Sequence, residues 1–158
     1  MNPNMADLPR CELFGLRLDP LTMGQAVARC TDAIEHREQL SIGVVNAAKI
    51  VSMRRDAQLR DAVARCGMVL ADGQAVVWAS GVLRAPLPER VAGVDLFMEL
   101  LAESARRGYR RVSLETGSQD FFRPARTLYA KYGFVECGPF GDYVLDPNSV
   151  FMTLELQG

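Results

Sequence analysis

The sequence lacks several features by which common protein classes are recognised. It contains a single histidine, His36, so catalytic triads built on a histidine base are not a leading hypothesis. It has no C-x-x-C pair, and its four scattered cysteines lie in hydrophobic patterns, which indicates buried, reduced thiols: Cys11, Cys30, Cys66 and Cys137. The formal net charge of -1 supplies no long-range field for nucleic acid, so nucleic-acid binding is not expected.

Long apolar runs are also missing. No stretch approaches the about 18 consecutive apolar residues that a membrane-spanning helix needs. Residues Met1 to Arg10 lack the apolar segment of a signal peptide, and Met1 to Pro9 is polar and interrupted by proline, which predicts a loose lead-in. These absences predict a cytoplasmic location.

What is present is a regular alternation of strand and helix patterns. Of the 158 residues, 49% are hydrophobic and 23% are charged, which is typical of a globular protein. Strands are predicted at Cys11 to Leu18, Ile42 to Val45, Met68 to Ala71 and Val112 to Glu115, with helical spacing between them. Near the end, alternation from Ser149 to Leu156 predicts a long half-buried strand. We therefore predict an α/β fold, three-layer, with a mostly parallel sheet, helices on both faces and an antiparallel edge at the C-terminus.

Three polar residues follow predicted strands or a stiff loop. Asn46 and Asp72 come directly after two buried strands, where open parallel sheets bind their ligands. Asp72 can act as a general base towards a sugar hydroxyl, and Arg90, after a proline-rich loop, can pair with phosphate through its planar guanidinium. From spacing alone these residues have ordinary alternatives: Asp72 as a helix N-cap, Asn46 as a turn former and Arg90 as a surface ion pair.

The strings around these residues resemble the bacterial WecG/TagA/CpsF glycosyltransferase family. The resemblance covers about residues 11–109 and is carried by linked motifs in order: Val45-Asn46-Ala47-Ala48-Lys49-Ile50-Val51, Leu70-Ala71-Asp72-Gly73, Val76-Val77-Trp78-Ala79 and Pro88-Glu89-Arg90-Val91-Ala92-Gly93. That family transfers N-acetylmannosamine-type sugars from a UDP-sugar to a lipid-diphosphate-linked acceptor in cell-envelope polysaccharide biosynthesis, with inversion and without a metal-binding D-x-D motif. No D-x-D occurs here, so no metal or other cofactor is expected.

The resemblance implies roles for three residues, and the sequence also differs from the family at several positions. It implies that Asp72 is the catalytic base, that Asn46 binds substrate and that Arg90 is directed at phosphate. Many members carry threonine where this chain has Val44. After Tyr109 the family's second half, with much of the nucleotide-sugar site, is replaced, and Glu115 would repel a diphosphate that it faced.

The segment from about residue 110 to 156 resembles the end of a GNAT superfamily acetyltransferase. The likeness is carried by the strings Arg111-Val112-Ser113-Leu114-Glu115-Thr116-Gly117-Ser118, Pro124-Ala125-Arg126-Thr127-Leu128-Tyr129 and Cys137-Gly138-Pro139-Phe140-Gly141-Asp142-Tyr143. It implies that Tyr129 is the acid that protonates the departing CoA thiolate; otherwise Tyr129 is a half-buried packing residue. The pyrophosphate-binding turn of that superfamily has its nearest match at Arg90 to Asp95, where the last position is acidic.

The sequence thus predicts a single mosaic domain over residues 1–158 and leaves three functions open. The first is a glycosyltransferase-like protein with a nucleotide-sugar and a lipid-linked acceptor as partners. The second is a GNAT-like N-acetyltransferase that uses acetyl-CoA, and the third is a non-catalytic chimera. For a lipid-diphosphate acceptor, a weak peripheral contact with the inner face of the plasma membrane is expected through the surface arginines Arg54, Arg55, Arg106, Arg107, Arg110 and Arg111. Trp78 is expected to pack in the core.

Overall fold

The computed structural model describes residues 10–156, which belong to two compact units, one ending at Leu100 and the other beginning at Leu101. The predicted lead-in from Met1 to Pro9 lies outside the described residues. Helices and strands occur in both units, so the predicted α/β class is confirmed. The single domain over residues 1–158 stays a prediction.

The elements of the first unit begin where the sequence places capping residues. Its strands are β1 (Cys11–Leu13), β2 (Leu16–Leu18), β3 (Ile42–Val45) and β4 (Met68–Ala71). Its helices are α1 (Met23–Glu35), α2 (Ala47–Met53), α3 (Ala57–Ala64) and α4 (Gln74–Val82), and α5 (Gly93–Arg106) runs past the unit boundary. Thr22, Asn46 and Asp56 each accept a hydrogen bond from the backbone N–H three residues on, which fixes the starts of α1, α2 and α3.

The centre of the first unit is the parallel pair β3 and β4, with Val45 opposite Ala71 at its carboxyl end. All four residues of β4 are buried, and they alternate between two hydrophobic clusters. Val69 and Ala71 pack with residues of α2, α3 and α4, whereas Met68 and Leu70 pack with residues of α1 and α5. Helices therefore cover both faces of this pair, as continuous apolar strands require.

A buried carboxylate ties the end of β2 to β4. Asp19 is 5% exposed, and its Oδ2 accepts from the N–H of Val69 at 2.7 Å. Arg10 and Arg29 pair with Oδ1 at 3.1 and 3.3 Å, and both guanidinium groups also donate to the carbonyl of Gly67. Because every charge in this group has a partner, Asp19 fixes the β1–β2 hairpin to the central pair without leaving an uncompensated buried charge.

The second unit is built on an antiparallel sheet. It comprises β5 (Arg111–Gly117), a short 3-10 helix (Asp120–Phe122), α6 (Arg123–Lys131), β6 (Val135–Cys137) and β7 (Ser149–Glu155). Strand β7 is central, and β5 and β6 pair antiparallel with it on either side. Phe151 on β7 is buried and lies 5.8 Å from the ring of Phe140 and 5.7 Å from that of Tyr143. The alternating pattern of Ser149 to Leu156 thus correctly predicted a long strand.

The sheet arrangement differs from the single, mostly parallel sheet that the sequence predicts. The described strands form three separate sheets, and only β3 and β4 pair in parallel. The reason is the pairing of β7, whose two edges are occupied by β5 and β6. These three strands therefore form an antiparallel sheet of their own instead of an antiparallel edge on a parallel sheet.

The expectation that Trp78 packs in the core is wrong. Its side chain is 70% exposed on α4, and Val82 one turn later is 83% exposed. Helix α4 buries Val76 and Ser80 on its inner side, so an apolar residue in this helix does not by itself identify the core face. Among residues 10–156 no helix has both the length and the apolar composition needed to cross a bilayer.

Candidate functional site

Asn46 and Asp72 lie side by side at the carboxyl ends of β3 and β4. Asp72 donates its backbone N–H to the carbonyl of Val45 at 2.8 Å, which continues the parallel ladder by one bond. At Gly73, an added Cβ would lie 3.3 Å from the Cβ of Asn46, so the two segments are in close contact there. The two polar residues predicted from separate strands are therefore brought together.

Arg90 reaches the same strand end from the other side. The N–H of Val91 donates to the carbonyl of Ala71 at 2.8 Å. In a trans peptide the C=O and N–H groups point in opposite directions, so the peptide group between Ala71 and Asp72 bonds to Val91 on one side and Val45 on the other. Asn46 directly follows Val45, and Arg90 directly precedes Val91, so both candidate residues adjoin a residue that is hydrogen-bonded to this peptide group.

Asp72 is not a helix cap. The N-cap of α4 is Gly73, which makes no side-chain capping bond. The carboxylate of Asp72 is partly exposed and stands directly before the positive end of α4, where a negative charge is favourable. It is positioned by its backbone, and its oxygens can accept a proton from a ligand hydroxyl.

The side chain of Asn46 has a structural task as well as the predicted one. Its Oδ1 accepts from the backbone N–H of Lys49 at 2.9 Å and so caps α2. The amide nitrogen is not part of this cap and can donate to a ligand. Lys49, which the sequence did not single out, donates from Nζ to the carbonyl of Val44 at 2.8 Å and supports the end of β3.

Arg90 forms an ion pair that the sequence only partly indicated. Its Nη2 lies 2.8 Å from Oδ2 of Asp95 in the first turn of α5, and the two side chains are 44% and 54% exposed. Helix α5 begins at Gly93, so Asp95 lies within its first turn. The surface ion pair that spacing alone allowed for Arg90 is therefore present.

Val44, at the position where many members of the family carry threonine, has a packing role. It is partly buried, and its methyl groups lie 3.5 Å from where a Cβ on Gly93 would stand. The start of α5 therefore packs close to β3. A polar contact at this position is replaced by an apolar one.

The residues at issue in the second unit have local partners. Tyr129 on α6 is half-buried, with its ring 6.0 Å from that of Phe134. Glu115 on β5 accepts from the hydroxyl of Ser149 at 2.5 Å. These contacts agree with the packing alternative for Tyr129 and show Glu115 engaged with its neighbouring strand.

Asn46 and Arg90 are exposed, and Asp72 is partly exposed. A hollow of about 550 Å³ in the first unit is lined by Glu12, Gly15, Leu16, Arg17 and Ala64, beside the β1–β2 hairpin. None of the three candidate side chains lines it.

His36 is the solvated helix end that the sequence predicts. It caps α1 at the C-terminus, and its Nδ1 lies 2.9 Å from the carbonyl of Asp32. This hydrogen bond to the backbone, followed by the charge of Asp32, raises the pKa of His36 above its ordinary value. Burial raises the pKa of the Cys30 thiol, which keeps it neutral and unreactive.

Comparison with known proteins gives two kinds of match. The model of the glycosyl transferase WecG/TagA/CpsF family matches residues 11–137, which extends beyond the predicted boundary near Tyr109. The chain is also 54% identical over 62 residues to the uncharacterized N-acetyltransferase YsnE of Bacillus subtilis (strain 168), covering 39% of this chain and 41% of that one. It is 44% identical over 61 residues to the uncharacterized N-acetyltransferase YedL of Escherichia coli (strain K12), covering 39% and 38%.

A solved structure gives a similar likeness. The chain is 34% identical to an acyl-CoA N-acyltransferase from Klebsiella pneumoniae, with a TM-score of 0.37, over 41% of this chain and 43% of that one. The chain spans about two-fifths of the length of the curated relatives it matches. Its C-terminal segment resembles an N-acetyltransferase, as the sequence predicts.

Proposed function

Because the chain belongs to the WecG/TagA/CpsF glycosyltransferase family, we propose that it transfers an N-acetylmannosamine-type sugar from a UDP-sugar to a lipid-diphosphate-linked acceptor. The observation that carries the proposal is the junction of Asn46, Asp72 and Arg90 at the end of β4. One peptide group, bonded to Val45 and to Val91, holds all three segments together.

The proposed reaction uses each residue for one task. The carboxylate of Asp72 removes the proton from an acceptor hydroxyl, whose oxygen then attacks the anomeric carbon of the sugar. The bond from that carbon to the UDP oxygen breaks, its electron pair leaves with UDP, and the anomeric configuration inverts. Arg90 neutralises the charge that develops on the diphosphate, and Asn46 donates from its amide to the donor.

The ion pair between Arg90 and Asp95 fits this proposal as a resting state. An arginine that pairs with an exposed carboxylate loses little when it exchanges that partner for a diphosphate, because exposed pairs contribute only about 0–1 kcal/mol. A diphosphate offers more negative charge and more acceptor oxygens than one carboxylate. Arg90 is therefore available to a nucleotide-sugar without a large cost.

The test measures binding and transfer separately. We expect UDP and UDP-N-acetylmannosamine to bind saturably, and Arg90→Ala to weaken both by about tenfold or more, since hydrogen bonds to charged groups contribute about 1.5–3 kcal/mol. Asp72→Asn retains the shape of the side chain but not the base, so it is expected to abolish transfer while UDP still binds. If Arg90→Ala and the wild-type protein bind UDP equally, the proposal is wrong.

The acetyltransferase alternative rests on the names of the curated relatives and on Tyr129. It predicts that acetyl-CoA binds and that Tyr129→Phe slows acetyl transfer. Against it, the nearest match to the pyrophosphate-binding turn of that superfamily, Arg90 to Asp95, ends in an acidic residue instead of a small one and belongs to the first unit, not to the GNAT-like segment. If neither UDP nor acetyl-CoA raises the melting temperature, the third possibility, a non-catalytic chimera, is favoured.

A further inference from the structure

Two helices that begin at the candidate site expose apolar faces. On α4, residues Ala75, Trp78 and Val82 recur at spacings of three and four and are all exposed, with Trp78 at 70% and Val82 at 83%. Val51 on α2 is 59% exposed. A helix that is apolar on both its inner and its outer side normally has a partner on each, so the outer side of α4 lacks the partner that its sequence implies.

The two helices that carry these faces begin at one point of the first unit and share one hydrophobic cluster. Asn46 and Gly73, at which α2 and α4 begin, are in close contact, with 3.3 Å between the Cβ of Asn46 and an added Cβ on Gly73. Both helices also pack their inner residues on one cluster, through Met53 of α2 and Val76 of α4. Their outer faces therefore point away from that cluster, on helices whose first residues adjoin the residues proposed to bind the donor.

The charges around these faces have one sign. Residues 46–55 and 73–88 contain no aspartate or glutamate, but they include four cationic residues. Lys49 is engaged with the carbonyl of Val44, whereas Arg54, Arg55 and Arg84 are exposed. Asp56, which follows directly, is occupied in capping α3 through Leu59. A tryptophan and aliphatic residues bordered by arginines are the composition that binds at the surface of an anionic bilayer.

We propose that the outer faces of α2 and α4, namely Ala47, Ala48, Val51, Ala75, Trp78 and Val82 with Arg54, Arg55 and Arg84 around them, dock on an anionic lipid surface. A second copy of the chain fits this surface less well, because a two-fold pair would bring the same arginines together without carboxylates between them. The inference rests on the proposed function, since docking would bring the end of β4 to the membrane in which a lipid-linked acceptor lies.

The test uses Trp78, which is the only tryptophan in the sequence, as the reporter. The full chain is mixed with vesicles of phosphatidylglycerol and phosphatidylcholine in equal parts, and separately with vesicles of phosphatidylcholine alone. We expect the emission of Trp78 to move to shorter wavelength and the protein to float with the anionic vesicles only. Added salt is expected to weaken this binding, because it screens the arginines.

Variants assign the binding to this surface. Trp78→Ala is expected to lower the partition coefficient by about tenfold or more. Burial of a large apolar side chain contributes about 1.5–3 kcal/mol, and a tenfold change in affinity corresponds to about 1.4 kcal/mol. Replacing Arg54, Arg55 and Arg84 by glutamine is expected to reduce binding to the level seen with neutral vesicles. The matched control is Phe121→Ala, which removes an aromatic side chain that is 85% exposed in the second unit and should leave partitioning unchanged.

Three results would overturn the inference. The first is equal partitioning of Trp78→Ala and the wild-type protein. The second is equal binding to neutral and anionic vesicles. The third is a concentration-dependent dimer in sedimentation that Trp78→Ala dissociates while vesicles bind neither protein, which would assign the surface to a second copy. UDP binding, measured without vesicles, separates the two proposals: vesicle binding without UDP binding refutes the proposed function alone, and UDP binding without vesicle binding refutes the docking surface alone.

Discussion

Substitution of Asn46 separates its role as the cap of α2 from its proposed role as a donor to substrate. Its Oδ1 accepts from the N–H of Lys49 at 2.9 Å, and the loss of such a cap costs about 1 kcal/mol. For a domain of this size we expect Asn46→Ala to lower the melting temperature by about 3–6 °C. Asn46→Ser keeps a capping oxygen but removes the amide, so it should retain nearly all of the stability.

The binding measurement then tests the proposed role in the site. If the amide of Asn46 donates to the donor substrate, Asn46→Ser should weaken UDP-sugar binding by about five- to tenfold, which corresponds to one hydrogen bond of about 1 kcal/mol. The control is Asp56→Ala, which removes the equivalent cap of α3, where Oδ1 accepts from the N–H of Leu59 at 2.8 Å. It should lower the melting temperature by a similar amount and leave UDP-sugar binding unchanged.

Either of two results would refute the roles expected for Asn46. Calorimetry that gives Asn46→Ser the affinity of the wild-type protein would show that Asn46 is a cap and no more. A melting temperature that falls for Asp56→Ala but not for Asn46→Ala would show that the capping bond of Asn46 contributes nothing to stability.

Three further outcomes are expected. Asp95→Asn releases Arg90 and removes a competing negative charge, so it should tighten UDP binding a few-fold in calorimetry, with a change in unfolding free energy below about 1 kcal/mol because the pair is half-exposed; weaker UDP binding would contradict this. The raised pKa of His36 should fall towards its ordinary value in Asp32→Asn when followed by NMR; because the folded pKa is the higher one, any stability that His36 contributes is present at low pH and is lost as the pH rises through that value. Leu70→Ala, in a strand residue that is 1% exposed, should cost about 2–5 kcal/mol in denaturant unfolding, and a loss below 1 kcal/mol would show that this core can close around the cavity.

The sequence predicted the elements whose ends are set by local chemistry. The strand before Asn46 and the buried run before Asp72 each depend on the pattern of a few successive residues, and the structure confirms both as β3 (Ile42–Val45) and β4 (Met68–Ala71). The same is true of the junction of Asn46 with Asp72, because residues that follow adjacent parallel strands must meet at one edge.

The features that were wrong depend on distant partners. The strand predicted at Val112 to Glu115 is longer in the structure: β5 continues to Gly117 because it pairs residue by residue with β7, and Gly117 opposes Ser149. The identity of a strand's neighbours cannot be read from its own pattern, so the mostly parallel sheet that was predicted is not confirmed. Trp78 was misplaced for a related reason: its helix is apolar on both sides, so periodicity gave no inner face.

The peptide group between Ala71 and Asp72, which is hydrogen-bonded on both sides, has a consequence for solution measurements. The amide protons of Asp72 and Val91 sit in the two bonds that join the three site segments, so their exchange with solvent reports whether those segments are assembled. A ligand that contacts all three segments would slow both protons together, whereas one that binds only a single segment would protect at most one. The pair of exchange rates therefore distinguishes a ligand that spans the strand end from one that merely touches it.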